Sequence, residues 1–225
     1  MAAPTSSPVP LMEAFKPSPA LASFITDIWV WELGPAAQPD PAAALTLLPD
    51  GHPTMCFVYG GPLTASDGRQ AFTTRSAVCG FQARPVQVRC EGHAAGVTVR
   101  FRPHGLSRFF PASLAEAAER RIDCRDLFAR SNIEDLESAL HELPTSVARV
   151  RCVERFLLTV LRAKGAHALV ERAVLRLGSG GLDAARIHEM ARELGTTERT
   201  LERRFRHTIG ASPKMFARVV RLQAA

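Results

Sequence analysis

The spacing of hydrophobic residues changes near residue 113 of this 225-residue chain. Before that point, short runs of apolar and β-branched residues are separated by Gly or Pro, a pattern typical of strands joined by turns. Phe24–Leu33 has apolar residues at odd and even positions alike, but Trp29 and Trp31 favour a strand there. Five or six short strands predict a β-sandwich or barrel. The further runs are Ala43–Leu48, Thr54–Tyr59, Ala77–Phe81, Val86–Cys90 and Gly96–Phe101.

Residues 1–19 precede these runs and contain Pro at positions 4, 8, 10, 17 and 19. Because Pro removes a backbone donor and fixes φ, we expect an extended or mobile lead-in there. We expect no transmembrane span, since the apolar stretch at 20–33 is short and is interrupted by Asp27 and Glu32. A signal peptide is not expected either, because residues 1–10 lack a basic segment. The protein is therefore expected in the cytoplasm.

From residue 113 the apolar residues recur at helical spacing. The predicted helices are Leu114–Glu119, Cys124–Ala129, Ile133–Glu142, Ser146–Ala163 and Ala166–Leu177. The fourth of them carries a broad apolar stripe, which is either core or a dimer seam. The stripe comprises Val147, Val150, Val153, Phe156, Leu157, Val160 and Leu161. Gly178–Gly181 then predicts a flexible hinge.

The last stretch predicts two short amphipathic helices around Gly195-Thr196-Thr197. Gly195 can end the first helix in the left-handed conformation, and Thr197 can cap the second with its hydroxyl. The short turn requires the helices to cross closely, where the small side chain of Ala191 fits and Leu201 fills the angle. This is the pattern of a helix-turn-helix, although helical hairpins without a DNA role share it.

Charge strengthens the DNA-binding interpretation. The chain has a formal net charge of +6 and a pI near 9.5. Within residues 183–225, Arg or Lys occupies nine positions and Asp or Glu five, so that stretch alone carries +4. The basic positions are 186, 192, 199, 203, 204, 206, 214, 218 and 221. Such a balance indicates an anionic partner, or a basic solvated surface.

Residues 181–225 resemble the first helix-turn-helix of the AraC/XylS family of bacterial transcription regulators. The matching residues are Ile187, Ala191, Leu194, Gly195, Thr197, Thr200, Leu201, Arg203, Phe205, Gly210, Ser212, Pro213, Phe216, Arg221 and Ala225. In that family two such units are joined by a long helix, and each inserts a recognition helix into the major groove. Ser212-Pro213 begins a helix here, with Lys214–Gln223 as the expected linker, and the sequence ends inside it. We therefore expect operator binding by this sequence alone to be weak, whether the second unit was removed or is naturally absent.

The resemblance implies a set of DNA contacts on the second helix. Arg203 matches an Arg that the family uses at base edges, and a guanidinium suits the acceptors of guanine. Glu202 either accepts from a cytosine amino group or pairs with Arg199 or Arg206. Phosphate contacts, which set register, are expected from Thr197, Thr200 and Lys214. The candidate DNA-binding residues are Thr197, Arg199, Thr200, Glu202, Arg203, Arg206 and Lys214.

The preceding region is similar to a sensor-like domain often found ahead of AraC-type DNA-binding units. The similarity rests on Leu47–Gly51 (LLPDG) and Gly96–Pro103 (GVTVRFRP), spans residues 10–165 and defines no ligand. Arg100 and Arg102 share one face of a strand, where they contact an anionic ligand, a carboxylate partner or solvent. Asp50-Gly51 is interpreted as a turn.

No pattern of an enzyme is present. His52, His93 and His104 are isolated, so we expect no metal site, and the sequence has neither a P-loop nor a G-x-S-x-G motif. The five Cys have no C-x-x-C spacing and are interpreted as buried thiols. We expect no cofactor and no catalytic residue.

The sequence thus predicts an α+β chain with a β-rich sandwich or barrel sensor domain at 1–112, a helical linker or dimerisation segment at 113–177 and a helix-turn-helix at 178–225. The predicted function is transcription regulation, with double-stranded DNA, a small-molecule effector and a second copy of the chain as partners, and no membrane. Two alternatives stay open: a ligand-binding or oligomerisation module without stable DNA binding, and a cupin-like metal enzyme.

Overall fold

The computed structural model describes residues 11–33, 45–69, 71–90, 93–162, 168–178 and 186–223. These residues form ten β-strands, three short 3-10 helices and six α-helices, an α+β fold with a β-rich N-terminal part, as predicted. The predicted hinge at 178–181 lies outside the described residues except for Gly178, the last residue of α3. None of the helices in the described ranges has the length and hydrophobicity needed to cross a membrane.

The strands form two antiparallel sheets that face each other. The larger sheet has the order β1-β2-β9-β4-β7-β10 and the smaller one β3-β8-β5-β6. The strands are β1 Leu11–Phe15, β2 Ile25–Leu33, β3 Leu45–Leu47, β4 Thr54–Val58, β5 Leu63–Ser66, β6 Ala71–Thr74, β7 Ser76–Cys79, β8 Val86–Cys90, β9 Ala94–Phe101 and β10 Arg121–Asp123. All six predicted runs contain a strand, so the alternation of apolar residues located the two-sheet region correctly.

Four strands were not predicted. β1 lies in the expected lead-in and pairs with β2 over five residues, while β5 and β6 are short and carry mostly small or polar side chains. β10 pairs with β7 beyond residue 112, the predicted end of the β-rich domain. The helices predicted on either side of it were wrong: only the 3-10 helices Leu114–Glu116 and Cys124–Asp126 form there. β10 lies between these two 3-10 helices, and the chain is extended there at 121–123 to pair with β7.

The α-helices follow in sequence order. They are α1 Arg130–Glu142, α2 Ser146–Val160, α3 Ala168–Gly178, α4 Ile187–Glu193, α5 Glu198–Ile209 and α6 Pro213–Gln223. α1 and α2 cover the outer face of the larger sheet, where the rings of Phe57 on β4 and Phe156 on α2 meet edge to face at 5.6 Å. The middle of the α2 stripe is buried in this core, including Val150 and Val153. That part of the stripe is core, as the first of its two interpretations stated.

A buried charged group ties α1 to the larger sheet. Glu137 of α1 is 8% exposed and accepts a hydrogen bond from the Ser76 hydroxyl at 2.5 Å. Its other oxygen accepts from the Arg125 guanidinium at 2.5 Å. Burial of a carboxylate is costly unless a cation and further donors satisfy it, and both are present here.

A second hydrophobic core joins α3, α4, α5 and α6. It includes Val170 of α3, Leu201 and Phe205 of α5, and Phe216 of α6. Phe81, which follows β7, belongs to the same cluster, and its ring lies 6.3 Å from that of Phe216. The C-terminal helices are therefore packed against the β-rich part.

Candidate functional site

The turn between α4 and α5 has the geometry that the sequence predicted. Gly195 adopts φ +71°, and the amides of Gly195 and Thr196 donate to the carbonyls of Arg192 and Ala191 at 3.0 Å. These two bonds satisfy the last carbonyls of α4 in a Schellman motif. The Thr197 hydroxyl accepts from the Thr200 amide at 3.2 Å and so caps α5.

α5 has one buried face and one exposed face. Leu201 and Phe205 are fully buried. Arg199, Arg203 and Arg206 are exposed, and at 3.6 residues per turn they fall within an arc of about 60°. Three guanidinium groups are thereby presented to solvent on one side of a helix that is anchored on the other.

The exposed face divides into paired and unpaired charges. Arg206 donates to Glu202 at 2.9 Å, an i,i+4 pair, so the structure has one of the ion pairs that the sequence left open. Glu198 lies 3.4 Å from the His188 ring. Among the described residues no carboxylate forms an ion pair with Arg199 or Arg203. These two guanidinium groups are consequently available to an external acceptor.

The predicted phosphate contacts lie at the edges of the same surface. Thr197 donates its hydroxyl proton to the Thr200 hydroxyl at 3.0 Å, which leaves the Thr200 proton free for another acceptor. Lys214 is exposed in the first turn of α6, just after Pro213. Ser212 caps this helix by accepting from the Met215 amide at 3.2 Å, as its position before Pro213 predicted.

The C-terminal end of α5 abuts the β-rich part of the chain. Gly210 follows α5 with φ +87°, and a Cβ there would lie 2.6 Å from the carbonyl oxygen of Leu114. A helix end that approaches another backbone so closely requires a residue without a side chain. The exposed face of α5 is therefore held in a fixed direction relative to the sheets.

A cavity of about 400 Å³ lies between the two sheets. The register of the larger sheet arranges the residues on its cavity side in three rows, although Asp27, Arg100 and Gly96 do not line the cavity itself. The first row is Asp27, Arg100, Thr54, Cys79 and Arg121, the second is Trp29, Thr98, Cys56 and Ala77, and the third begins with Trp31, Gly96 and Val58. Of the charged residues that line the cavity, Asp50, Arg84 and Arg121 lie along the first row, and Arg75 lies beside Val58 in the third row.

Arg100 in the first row is neutralised by two carboxylates. It lies 2.9 Å from Asp50 and 3.2 Å from Asp27. Asp27 also accepts from the Trp29 indole at 2.6 Å, and Asp50 accepts from the His52 amide at 2.9 Å. Asp50 therefore forms the predicted turn, and Arg100 has the carboxylate partner that was one of its three interpretations.

Three titratable groups of the cavity, His52, Cys56 and Cys79, are neutral at pH 7. The ring of His52 donates to the Phe101 carbonyl at 2.8 Å, and burial lowers its pKa. Burial raises the pKa of the Cys56 thiol to about 12 and also raises that of Cys79. Across the described ranges, no three His, Cys, Asp or Glu side chains are grouped so that they could hold a metal ion.

The sequence did not identify the cavity or its unpaired arginines. Arg121 lies in β10, opposite Cys79, and hydrogen-bonds to that thiol. Arg84 lines the same end of the cavity from the segment that precedes β8. Neither lies in an interpretable pattern, because β10 is only three residues long and its partner strand is more than 40 residues away.

Part of the chain matches a family model of unknown function, and several solved structures are weakly similar to it. Residues 13–123 match the model of a domain of unknown function, DUF6597, and no curated protein matches. ToxT from Vibrio cholerae is 8% identical, over 88% of this chain and 98% of that one, with a TM-score of 0.33. The AraC-like transcriptional activator CuxR is 14% identical, over 95% and 86%, with a TM-score of 0.30. The enzyme Fe(II)-HppE is 12% identical, over 41% and 49%, with a TM-score of 0.28.

Proposed function

We propose that this chain is a DNA-binding transcription regulator of the AraC type. In this proposal α4 and α5 form a helix-turn-helix, α5 lies in the major groove of double-stranded DNA, and the β-rich part senses a small molecule. The observation that carries the proposal is the exposed face of α5, where Arg199 and Arg203 have no carboxylate partner among the described residues. An unpaired guanidinium at the start of a recognition helix can donate two hydrogen bonds to O6 and N7 of guanine.

The remaining residues of this face take supporting roles. In this proposal the Thr200 hydroxyl and the Lys214 ammonium contact phosphates of the DNA backbone. Glu202 holds Arg206 in place, and because the pair is exposed it contributes only about 0.3–0.5 kcal/mol and can open for a base contact. Base reading is therefore assigned first to Arg203 and Arg199.

Substitution of Arg203 tests the base contact. A preferred duplex is first selected from a randomised pool, and its affinity is then measured by fluorescence anisotropy. Arg203→Ala should cost about 1–3 kcal/mol on the preferred duplex and relax specificity at one position. The matched control is Arg204→Ala, because Arg204 is also exposed but lies about 100° further around α5. Equal losses from the two variants, or none from Arg203→Ala, would remove the recognition-helix assignment.

A salt series tests the phosphate contact. Lys214→Ala should weaken binding to every duplex alike and reduce the slope of log affinity against log salt by about 1. A slope that Lys214→Ala leaves unchanged would contradict the phosphate role. If the unaltered chain fails to bind any duplex at low salt, the alternative of a ligand-binding or oligomerisation module takes the place of this proposal.

The cavity favours the sensing part of the proposal. Its volume of about 400 Å³ lies in the usual range for small-molecule sites, about 300–1,000 Å³. The chain is proposed to have no catalytic activity, and the cupin-like alternative would instead require stoichiometric bound metal, which elemental analysis measures. The homodimer stays a prediction that sedimentation velocity can test.

A further inference from the structure

The cavity combines an apolar lining with positive charge: Arg121 and Arg84 lie at one end, and Arg75 lies beside Val58 at the other. On the smaller sheet, Leu45, Val88, Ala65 and Phe72 lie in one row across the four strands, and Leu47 and Val86 begin the next. All of these line the cavity, and Trp29 and Trp31 face them from the larger sheet. The walls thus offer aliphatic and aromatic surface to a ligand, and burial of that surface favours an apolar one.

Arg121 gives the cavity a cation that has no counter-ion among the residues that the structure describes. It is half-buried, it lines the cavity, and its partner across the strands is the neutral thiol of Cys79. No carboxylate of the described residues forms an ion pair with it. Arg100 lies three strands away, about 14 Å at the usual strand spacing, so its two aspartates do not neutralise Arg121.

Arg84 adds a second positive charge at the same end. It is exposed at the rim of the cavity and, within the described part of the chain, has no acidic partner either. Guanidinium groups bind carboxylates through paired, charge-assisted hydrogen bonds, which are stronger than those between neutral groups. The two arginines therefore select for a negative group on an otherwise apolar ligand.

We infer that the cavity binds an apolar organic acid, with the hydrocarbon part between Trp31 and the smaller sheet and the carboxylate at Arg121 and Arg84. This inference rests on the proposed sensing function and specifies the ligand class for it. The carboxylate end is also the end nearest to α6. Leu47–His52 lines the cavity there, and the Gln223 side chain at the end of α6 donates to the Pro49 carbonyl at 2.7 Å.

Tryptophan fluorescence provides a direct readout, because the chain has two Trp and both line the cavity. The probes are 4-phenylbutyrate and 4-phenylbutan-1-ol, which have similar size but differ in charge at pH 7.5. We expect saturable changes in emission with both, and about tenfold tighter binding of the acid. Arg121→Gln and Arg84→Gln should each weaken binding of the acid, the former by about tenfold, and leave binding of the alcohol unchanged.

Arg89→Gln is the matched control. Arg89 is exposed on β8 next to Val88, which lines the cavity, so Arg89 points away from the cavity. Retained alcohol binding in Arg121→Gln shows that the cavity is intact, and Arg84→Gln, on the rim, provides a second variant that does not disturb the sheet. Equal affinity of the acid and the alcohol, no saturable change with either, or equal effects of Arg121→Gln and Arg89→Gln would overturn the inference. Because the assay contains no DNA, a negative result would not contradict the DNA-binding proposal. A negative result in the DNA-binding assay would likewise not contradict ligand binding in the cavity.

Discussion

Substitution of Gly210 tests whether α5 is docked on the β-rich part of the chain. Gly210 has φ +87°, and an added Cβ would lie 2.6 Å from the Leu114 carbonyl oxygen. Gly195 has a similar φ of +71°, but an added Cβ there meets no atom within 4 Å. Both glycines end a helix of the same unit, so Gly195→Ala is a control for the backbone cost alone.

The expected magnitudes follow from two separate costs. A left-handed conformation costs a residue with a Cβ roughly 1–2 kcal/mol, which applies to both variants. Gly210→Ala must also push the helix end away from Leu114, and overpacking of this kind costs about 1–3 kcal/mol. At about 2–4 °C per kcal/mol for a chain of this size, Gly195→Ala should lower Tm by about 2–8 °C and Gly210→Ala by about 4–20 °C.

The assay is thermal unfolding followed by circular dichroism, with both variants and the unaltered chain at the same concentration. If the unfolding curve shows two transitions, Gly210→Ala should mainly lower the Tm of the transition that reports the C-terminal helices α4–α6. A Tm for Gly210→Ala equal to that for Gly195→Ala would show that the end of α5 does not rest against Leu114, and would refute the fixed direction assigned to its exposed face.

Three further predictions concern buried groups. Glu137→Ala leaves the Arg125 charge buried without its carboxylate and should cost about 3–5 kcal/mol in urea unfolding, whereas Glu134→Ala, on the exposed side of α1, should change stability by no more than about 0.5 kcal/mol. Since the pKa of Cys56 is raised to about 12, its thiol should resist iodoacetamide at pH 8 until the chain unfolds, as read by mass spectrometry; rapid native labelling would contradict its burial. Because the pKa of His52 is lowered from 6.5, the unfolded chain binds the proton first as pH falls. The stabilisation from neutral His52 is therefore present above about pH 6.5 and lost below it, and His52→Asn should flatten that part of the urea stability profile.

The C-terminal helices could be located from the sequence because their signals are local. Gly195 and Thr197 form the hydrogen bonds of a helix end and a helix start with residues no more than five positions away. Ser212 and Pro213 mark the start of α6 in the same way. Where the structure depends on neighbours within one turn of helix, residue type and spacing are sufficient to predict it.

The cavity could not be predicted, because its residues come together only through strand pairing. Arg121 pairs with Cys79 on the neighbouring strand, and Cys79 pairs with Thr54 on the next one. Each of these residues comes from a distant part of the chain. The short strands β5 and β6 contribute Leu63, Ala65 and Phe72, too few apolar residues for a periodic signal. Register between distant strands decides which side chains share a face, and a sequence pattern does not determine it.

The ion pairs also show that partners far apart in the sequence could not be predicted. Arg100 and Asp50 are 50 positions apart, and Asp27 is 73 positions from Arg100. The sequence placed Arg100 on a strand face but left its partner open among a ligand, a carboxylate and solvent. On α5, by contrast, the pairing of Glu202 with Arg206 was one of the two stated outcomes, because partners four residues apart on a helix are neighbours.

The two candidate sites are joined through α6, and the strength of its contacts bears on regulation. Toward the cavity, α6 is held by the hydrogen bond from Gln223 to Pro49, worth about 0.5–1.5 kcal/mol, and by the rings of Phe81 and Phe216, worth about as much again. Toward α5, the rings of Phe205 and Phe216 meet edge to face at 5.6 Å within the shared core. Coupling between a ligand and a second site is typically about 1–3 kcal/mol, the same size as these two contacts between α6 and the β-rich part. A ligand that displaced Pro49 would break the hydrogen bond from Gln223, while Phe216 would stay in the core that it shares with Phe81 and Phe205.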